Sequence, residues 1–166
     1  MKALRKVGII GLLAALLLGG CGKPAPETSD LDYSTLIVPA VDLTITECIT
    51  EQQLTTAVGY PMHLLGVYEE NTQAVYLSED GDCQVTIHMM NQTRAGFEAQ
   101  VAAATVPMIM QEGVGEVAYW YEGAAQLMVY SDGYALDVAV SCADTAGMEP
   151  QTRQVAELIL SRLQQP

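Results

Sequence analysis

Two Asp-Gly pairs, Asp80-Gly81 and Asp132-Gly133, each lie between segments in which apolar and polar residues alternate. Asp-Gly between alternating segments is a strong β-hairpin signal, because both residues tolerate the positive φ angles of a tight turn. Each pair also follows an apolar, tyrosine-bearing segment that ends in serine. The two pairs therefore predict antiparallel strands in two separate parts of the chain, and they restrict it to folds built around an antiparallel sheet.

Hydrophobic periodicity extends this prediction to six strands and three helices. A capping box from Thr50 to Gln53 begins the first helix, Thr93 begins the second, and Pro150 occupies a first-turn position of the third. The predicted helices cover 51–58, 93–104 and 150–164, and the predicted strands cover 64–68, 74–78, 83–90, 116–122, 126–130 and 134–141.

The order helix, three strands, helix, three strands, helix predicts an α+β fold with an antiparallel sheet of about six strands and helices packed on one face. The order also fits a duplicated helix plus three-strand unit. The alternative is that the two halves resemble each other only because hairpins commonly use the same turn residues. Alternation points Val85 and Ile87 toward the core, together with Val138 on the last strand. It points His88 and Asp137 toward solvent or a partner.

The N-terminal segment has the parts of a secretory signal peptide. Lys2, Arg5 and Lys6 precede an apolar stretch over 7–20, which is shorter than the roughly 20 residues that span a bilayer. Leu18-Gly19-Gly20-Cys21 resembles the lipobox of bacterial lipoproteins. The resemblance implies that residues 1–20 are removed and that Cys21 carries a diacylglyceryl lipid. The alternatives are an uncleaved anchor helix and an ordinary secretory signal.

The proline-containing segment 21–41 is predicted to be a flexible tether, and 42–166 a single α+β domain. The chain resembles small extracytoplasmic lipoproteins of Gram-positive bacteria that carry one α+β domain of unknown function. The matching parts are Cys48 before the first helix, Cys83 on an early strand, the aromatic strand within 113–120 and the apolar helix 155–163. The resemblance implies a location on the outer face of the cell membrane, held there by the lipid.

Cys48, Cys83 and Cys142 remain beyond the lipid site, and they allow three single disulfides with one cysteine left over. An exported protein can keep a disulfide. We favour Cys48 with Cys83, because Cys83 points toward the layer of the first helix and Cys48 lies just before that helix. Cys142 is then expected to be a buried free thiol.

The charge of the chain limits its partners. Its formal net charge is −13, so nucleic acid is not expected as a partner, because binding phosphates requires clustered lysine and arginine. The sequence contains no phosphate-binding loop, nucleophile elbow or His-Glu-x-x-His motif. We therefore expect a protein without enzymatic activity and without a cofactor other than the covalent lipid. It would bind an unknown protein or small molecule.

Two constellations are candidates for binding. Tyr119 and Tyr121 share one face of a predicted strand and would form an aromatic binding surface, although tyrosine is also a common strand residue. His88 and Met90 share a strand face as well, and imidazole with thioether suits copper(I). Ordinary packing of the methionines is the alternative to a copper site. A carboxylate-based hydrolase is a third possibility.

Overall fold

The structure, a computed structural model, describes residues 43–143 and 148–165. These residues form four helices and seven strands, and they belong to one compact unit. The helices are α1 (Ile45–Cys48), α2 (Glu51–Val58), α3 (Arg94–Ala103) and α4 (Glu149–Leu163). The strands are β1 (Met62–Tyr68), β2 (Gln73–Ser78), β3 (Cys83–Asn91), β4 (Ile109–Gln111), β5 (Val117–Tyr121), β6 (Gln126–Ser131) and β7 (Tyr134–Cys142).

All seven strands form one antiparallel sheet in the order β1-β2-β3-β7-β6-β5-β4. The predicted α+β class is confirmed, with one strand more than expected. Six of the seven strands form two three-stranded units, β1-β2-β3 and β5-β6-β7, which meet where β3 pairs with β7, and β4 is added at the edge beside β5. In both units a short turn joins the first strand to the second, at Glu69–Asn71, where all three residues have positive φ angles, and at Glu122–Ala124. The repeated order of strands is therefore present in the sheet.

The two predicted hairpin turns are present. Asp132 and Gly133 have φ angles of 50° and 85°. A two-residue hairpin turn that matches the right-handed twist of the strands requires such positive φ angles at both residues. Gly81 has a φ angle of 78°, and its backbone N–H donates to the carbonyl of Ser78. These turns place β2 beside β3 and β6 beside β7.

One face of the sheet, here called the closed face, is covered by α1, α2 and α4. Val85, Ile87 and Val138 are fully buried on this face, as alternation predicted. Helix α4 packs on β6 and β7, adds Val155 and Ile159 to the same core and also contacts α2. The Thr50 hydroxyl accepts a hydrogen bond from Gln53 N at 3.2 Å, so the predicted capping box of α2 is formed.

The expectation that all helices pack on one face holds for three of the four. Helix α3 lies against the opposite face, where Phe97 is fully buried with Met128, Tyr130 and Ala135. Those three residues alternate with the core positions of β6 and β7, so they point away from the closed face. Helical periodicity predicted this helix, but it carries no information about which sheet face the helix meets.

The predicted disulfide between Cys48 and Cys83 is wrong, because Cys83 is bonded to Cys142. These two residues are direct partners in the register of β3 and β7. The pairing depends on β3 and β7 being neighbours, which the sequence did not show. The expectation that Cys142 is a free thiol is therefore also wrong. Cys48 is the buried free thiol instead, and burial raises its pKa.

The signal peptide over 1–20, the lipobox with Cys21 and the tether over 21–41 lie outside the described residues. In the parts of the chain that the structure describes, every helix is too short or too polar to cross a bilayer.

Candidate functional site

The face of the sheet opposite α1, α2 and α4, here called the open face, is covered only in part by the described residues. Helix α3 packs over its β5-β6 side, and the centre of the face carries a shallow recess of about 310 Å³. This polar recess is lined by Gln73, Thr86, His88, Gln126, Asp137 and Ala139.

The strand register explains why these side chains meet. His88 lies between Gln73 on β2 and Asp137 on β7, and it is paired with both. In the next row Ala139 is paired with Thr86 on one side and with Gln126 on the other. Gln73 and Gln126 each begin the second strand of their unit, so the recess lies where the two three-stranded units join.

Asp137 is the unusual group of the recess. Its Oδ1 atom is buried and has no hydrogen-bond partner among the described residues. Burial raises the pKa of Asp137 to about 6, while the nearby His88 acts in the opposite direction. A buried acceptor without a donor costs free energy, so the ionised form of Asp137 is destabilised at neutral pH.

The histidine of the recess has an acidic neighbour at the rim. His88 Nε2 lies 3.3 Å from Glu69 Oε2, and the His88 side chain is 25% exposed. Glu69 belongs to the turn that follows β1. The recess therefore combines two amides, one hydroxyl, one imidazole and one carboxylate, which together can both donate and accept hydrogen bonds.

His88 and Met90 lie on the same sheet face, as the copper hypothesis required. Met90, however, packs against the cluster around Phe97, whereas His88 lines the polar recess. Across residues 43–143 and 148–165, no three His, Cys, Asp or Glu side chains converge as metal ligands. A copper site that uses methionine sulfur stays a prediction.

The two tyrosines of the predicted binding surface have different surroundings. The Tyr119 ring lies 6.3 Å from that of Phe97, so α3 takes up part of this surface. Tyr121 lines a separate groove beside the edge strand β4, together with Pro107 and Ile109. A binding role for Tyr121 stays a prediction.

Sequence reasoning placed Asp137 on the correct face and missed its importance. The signal was an acidic residue within Leu136-Asp137-Val138, since aspartate is depleted in strands and this strand is central. Its burial follows from the neighbouring strands β3 and β6, which local pattern does not reveal.

Comparisons with known proteins found no similarity: no family model, no curated protein and no solved structure matches this chain.

Proposed function

We propose that this protein is a lipid-anchored binding protein of the cell envelope, that it works outside the cytoplasm without chemistry of its own, and that its ligand binds in the polar recess. The recess supports binding because its lining can form many hydrogen bonds around one buried, unpartnered carboxylate oxygen. That oxygen of Asp137 is the observation on which the proposed site depends.

The envelope location is supported by the lipobox-like Leu18-Gly19-Gly20-Cys21 and by the disulfide between Cys83 and Cys142. Disulfides persist in oxidising compartments and are rare in the cytosol. Two acyl chains on one cysteine are sufficient for stable membrane attachment. Mass spectrometry of the native protein tests this part, because an N-terminal Cys21 with added acyl mass is expected and an intact leader would contradict it.

The chain offers an internal control for testing the binding site. It contains two histidines, His88 in the recess and His63 at the edge strand β1. The His63 side chain is 56% exposed, and it lies near Glu51 and Glu79. A ligand in the recess should therefore perturb His88 and leave His63 unchanged.

The experiment uses the full lipidated chain in phosphatidylcholine nanodiscs, with ¹³C-labelled histidine observed by NMR. Fractions of envelope small molecules and glycans are added one at a time. A saturable shift of the His88 signal alone supports the proposed site. If only the His63 signal moves, or if no fraction moves His88, the recess is not the binding site.

A further inference from the structure

We propose that the polar recess binds the primary ammonium group of a small organic cation, with Asp137 as its anionic partner. This inference rests on the proposed function, because it names the ligand class of the same recess.

The hydrogen-bonding state of the recess favours a donor-rich ligand. Asp137 Oδ1 is a buried acceptor without a donor, and Gln73 and Gln126, whose side-chain amides can also accept hydrogen bonds, line the same recess. A primary ammonium carries three donors and no acceptor, so it complements such a set. Its hydrogen bonds to a carboxylate are charge-assisted and stronger than those of a neutral donor.

Charge complementarity points the same way. The chain has a formal charge of −13, and Glu69 adds a carboxylate at the rim of the recess beside His88. Of the arginines in the described residues, Arg94 and Arg153 pair with acidic neighbours on their own helices, at 2.9 and 3.0 Å. The lining contains neither lysine nor arginine. An anionic ligand would therefore be repelled, and a cation would be attracted.

The same arrangement makes binding depend on pH. His88 faces Asp137 from β3, Gln126 and Met128 come from β6, and Glu69 lies behind His88. Acidification neutralises Asp137, and this change opposes a bound cation. Because the pKa of Asp137 is about 6, we expect affinity to fall about tenfold between pH 7.5 and pH 5.

The test compares three probes that share a four-carbon chain: 1,4-diaminobutane, 1,4-butanediol and succinate. Each is titrated into the full chain in phosphatidylcholine nanodiscs at pH 7.5, with the two histidine signals as the readout. We expect a saturable shift of His88 with the diamine and none with the diol or the diacid. Asp137→Asn keeps the shape of the side chain and should weaken diamine binding at least about tenfold, because the charge-assisted partner is lost.

Glu79→Gln is the matched control, since it removes one negative charge beside His63 and leaves the recess intact. It should not change diamine affinity. Equal binding of the diol, or equal weakening by Glu79→Gln and Asp137→Asn, would overturn the inference. If the diamine fails and an envelope fraction still shifts His88, the ligand class is wrong and the binding function remains. If neither moves His88, both fail.

Discussion

The closed and open faces of the sheet are made by alternate residues of the same strands. On β3, Ile87 is fully buried beneath the helices, while its neighbour His88 lines the polar recess. On β7, Val138 and Asp137 show the same contrast. The closed face is a continuous apolar core under three helices, whereas on the open face the described residues place one helix over one side.

The difference shows where this fold can carry function. Close-packed positions tolerate little change, because each lost methylene leaves a cavity. The uncovered part of the open face has no such requirement, and it can hold polar groups such as His88 and Asp137. The face that contributes less to stability is therefore the one available for binding.

The largest expected effect comes from the disulfide that connects β3 to β7. Cys83 and Cys142 are 59 residues apart, and the chain-entropy relation gives a stabilisation of about 4 kcal/mol for a loop of this size. Replacing both cysteines by alanine should lower the free energy of unfolding by about that amount in chemical denaturation. Cys48→Ala is the control and should leave the disulfide intact. A double variant as stable as the parent protein would contradict the structural role of the bond.

Truncation of neighbouring residues on β3 compares the two faces directly. Ile87→Ala should cost about 2–5 kcal/mol, because it opens a cavity under the helices. Thr86→Ala, one residue away on the open face, should cost less than about 1 kcal/mol. Urea denaturation measures both. Equal costs would show that the open face is packed as tightly as the closed face.

Asp137→Asn should stabilise the protein at pH 8. The pKa of Asp137 is raised by burial to about 6, so ionisation above that pH opposes folding, and this cost disappears as pH falls from about 6 toward about 4. We expect a gain of about 3 kcal/mol at pH 8 that nearly vanishes near pH 4, and denaturation curves at both pH values measure it.

Asp80→Asn should change the free energy of unfolding in the opposite direction to Asp137→Asn. Hydrogen bonds from the Ser78 hydroxyl and the Asp82 backbone lower the pKa of Asp80. Its ionised form therefore favours folding, and this contribution is lost as pH falls through the lowered pKa. The substitution should destabilise the protein at neutral pH. If both variants shifted stability in the same direction, the contrast between the partly buried Asp137 and the exposed Asp80 would be wrong.

The smallest effect is expected at the edge strand β4. The Met110 residue is 64% exposed, so Met110→Ala should change the free energy of unfolding by less than about 0.5 kcal/mol. Thermal denaturation of the full chain measures it. A cost above about 1 kcal/mol would show that this part of the open face is covered in solution.

Local signals predicted much of the fold. The bounds of α2 agree with the prediction at both ends, because its capping box and its C-terminal glycine are local features. Helix α1 and strand β4 were missed, since four and three residues are too few to show a period. The side of the sheet on which α3 packs was also missed, because it depends on contacts made far along the chain.

At the candidate site too, local signals predicted one part of the structure and contacts between distant residues decided the rest. Alternation placed His88 and Asp137 on one face, but only the register of β3 and β7 makes them partners. The pairing of Cys83 with Cys142 depends on that same register, which is why the sequence favoured the wrong partner.

By itself, the sequence determined the positions of the main strands and helices and the faces on which the residues of β3 and β7 lie, because these follow from local turn chemistry and from the two-residue period of a strand. The tertiary structure decided the strand order, the disulfide, the placement of α3 and the burial of Asp137. Each of these depends on contacts between residues distant in sequence, and local pattern does not encode which distant segments become neighbours.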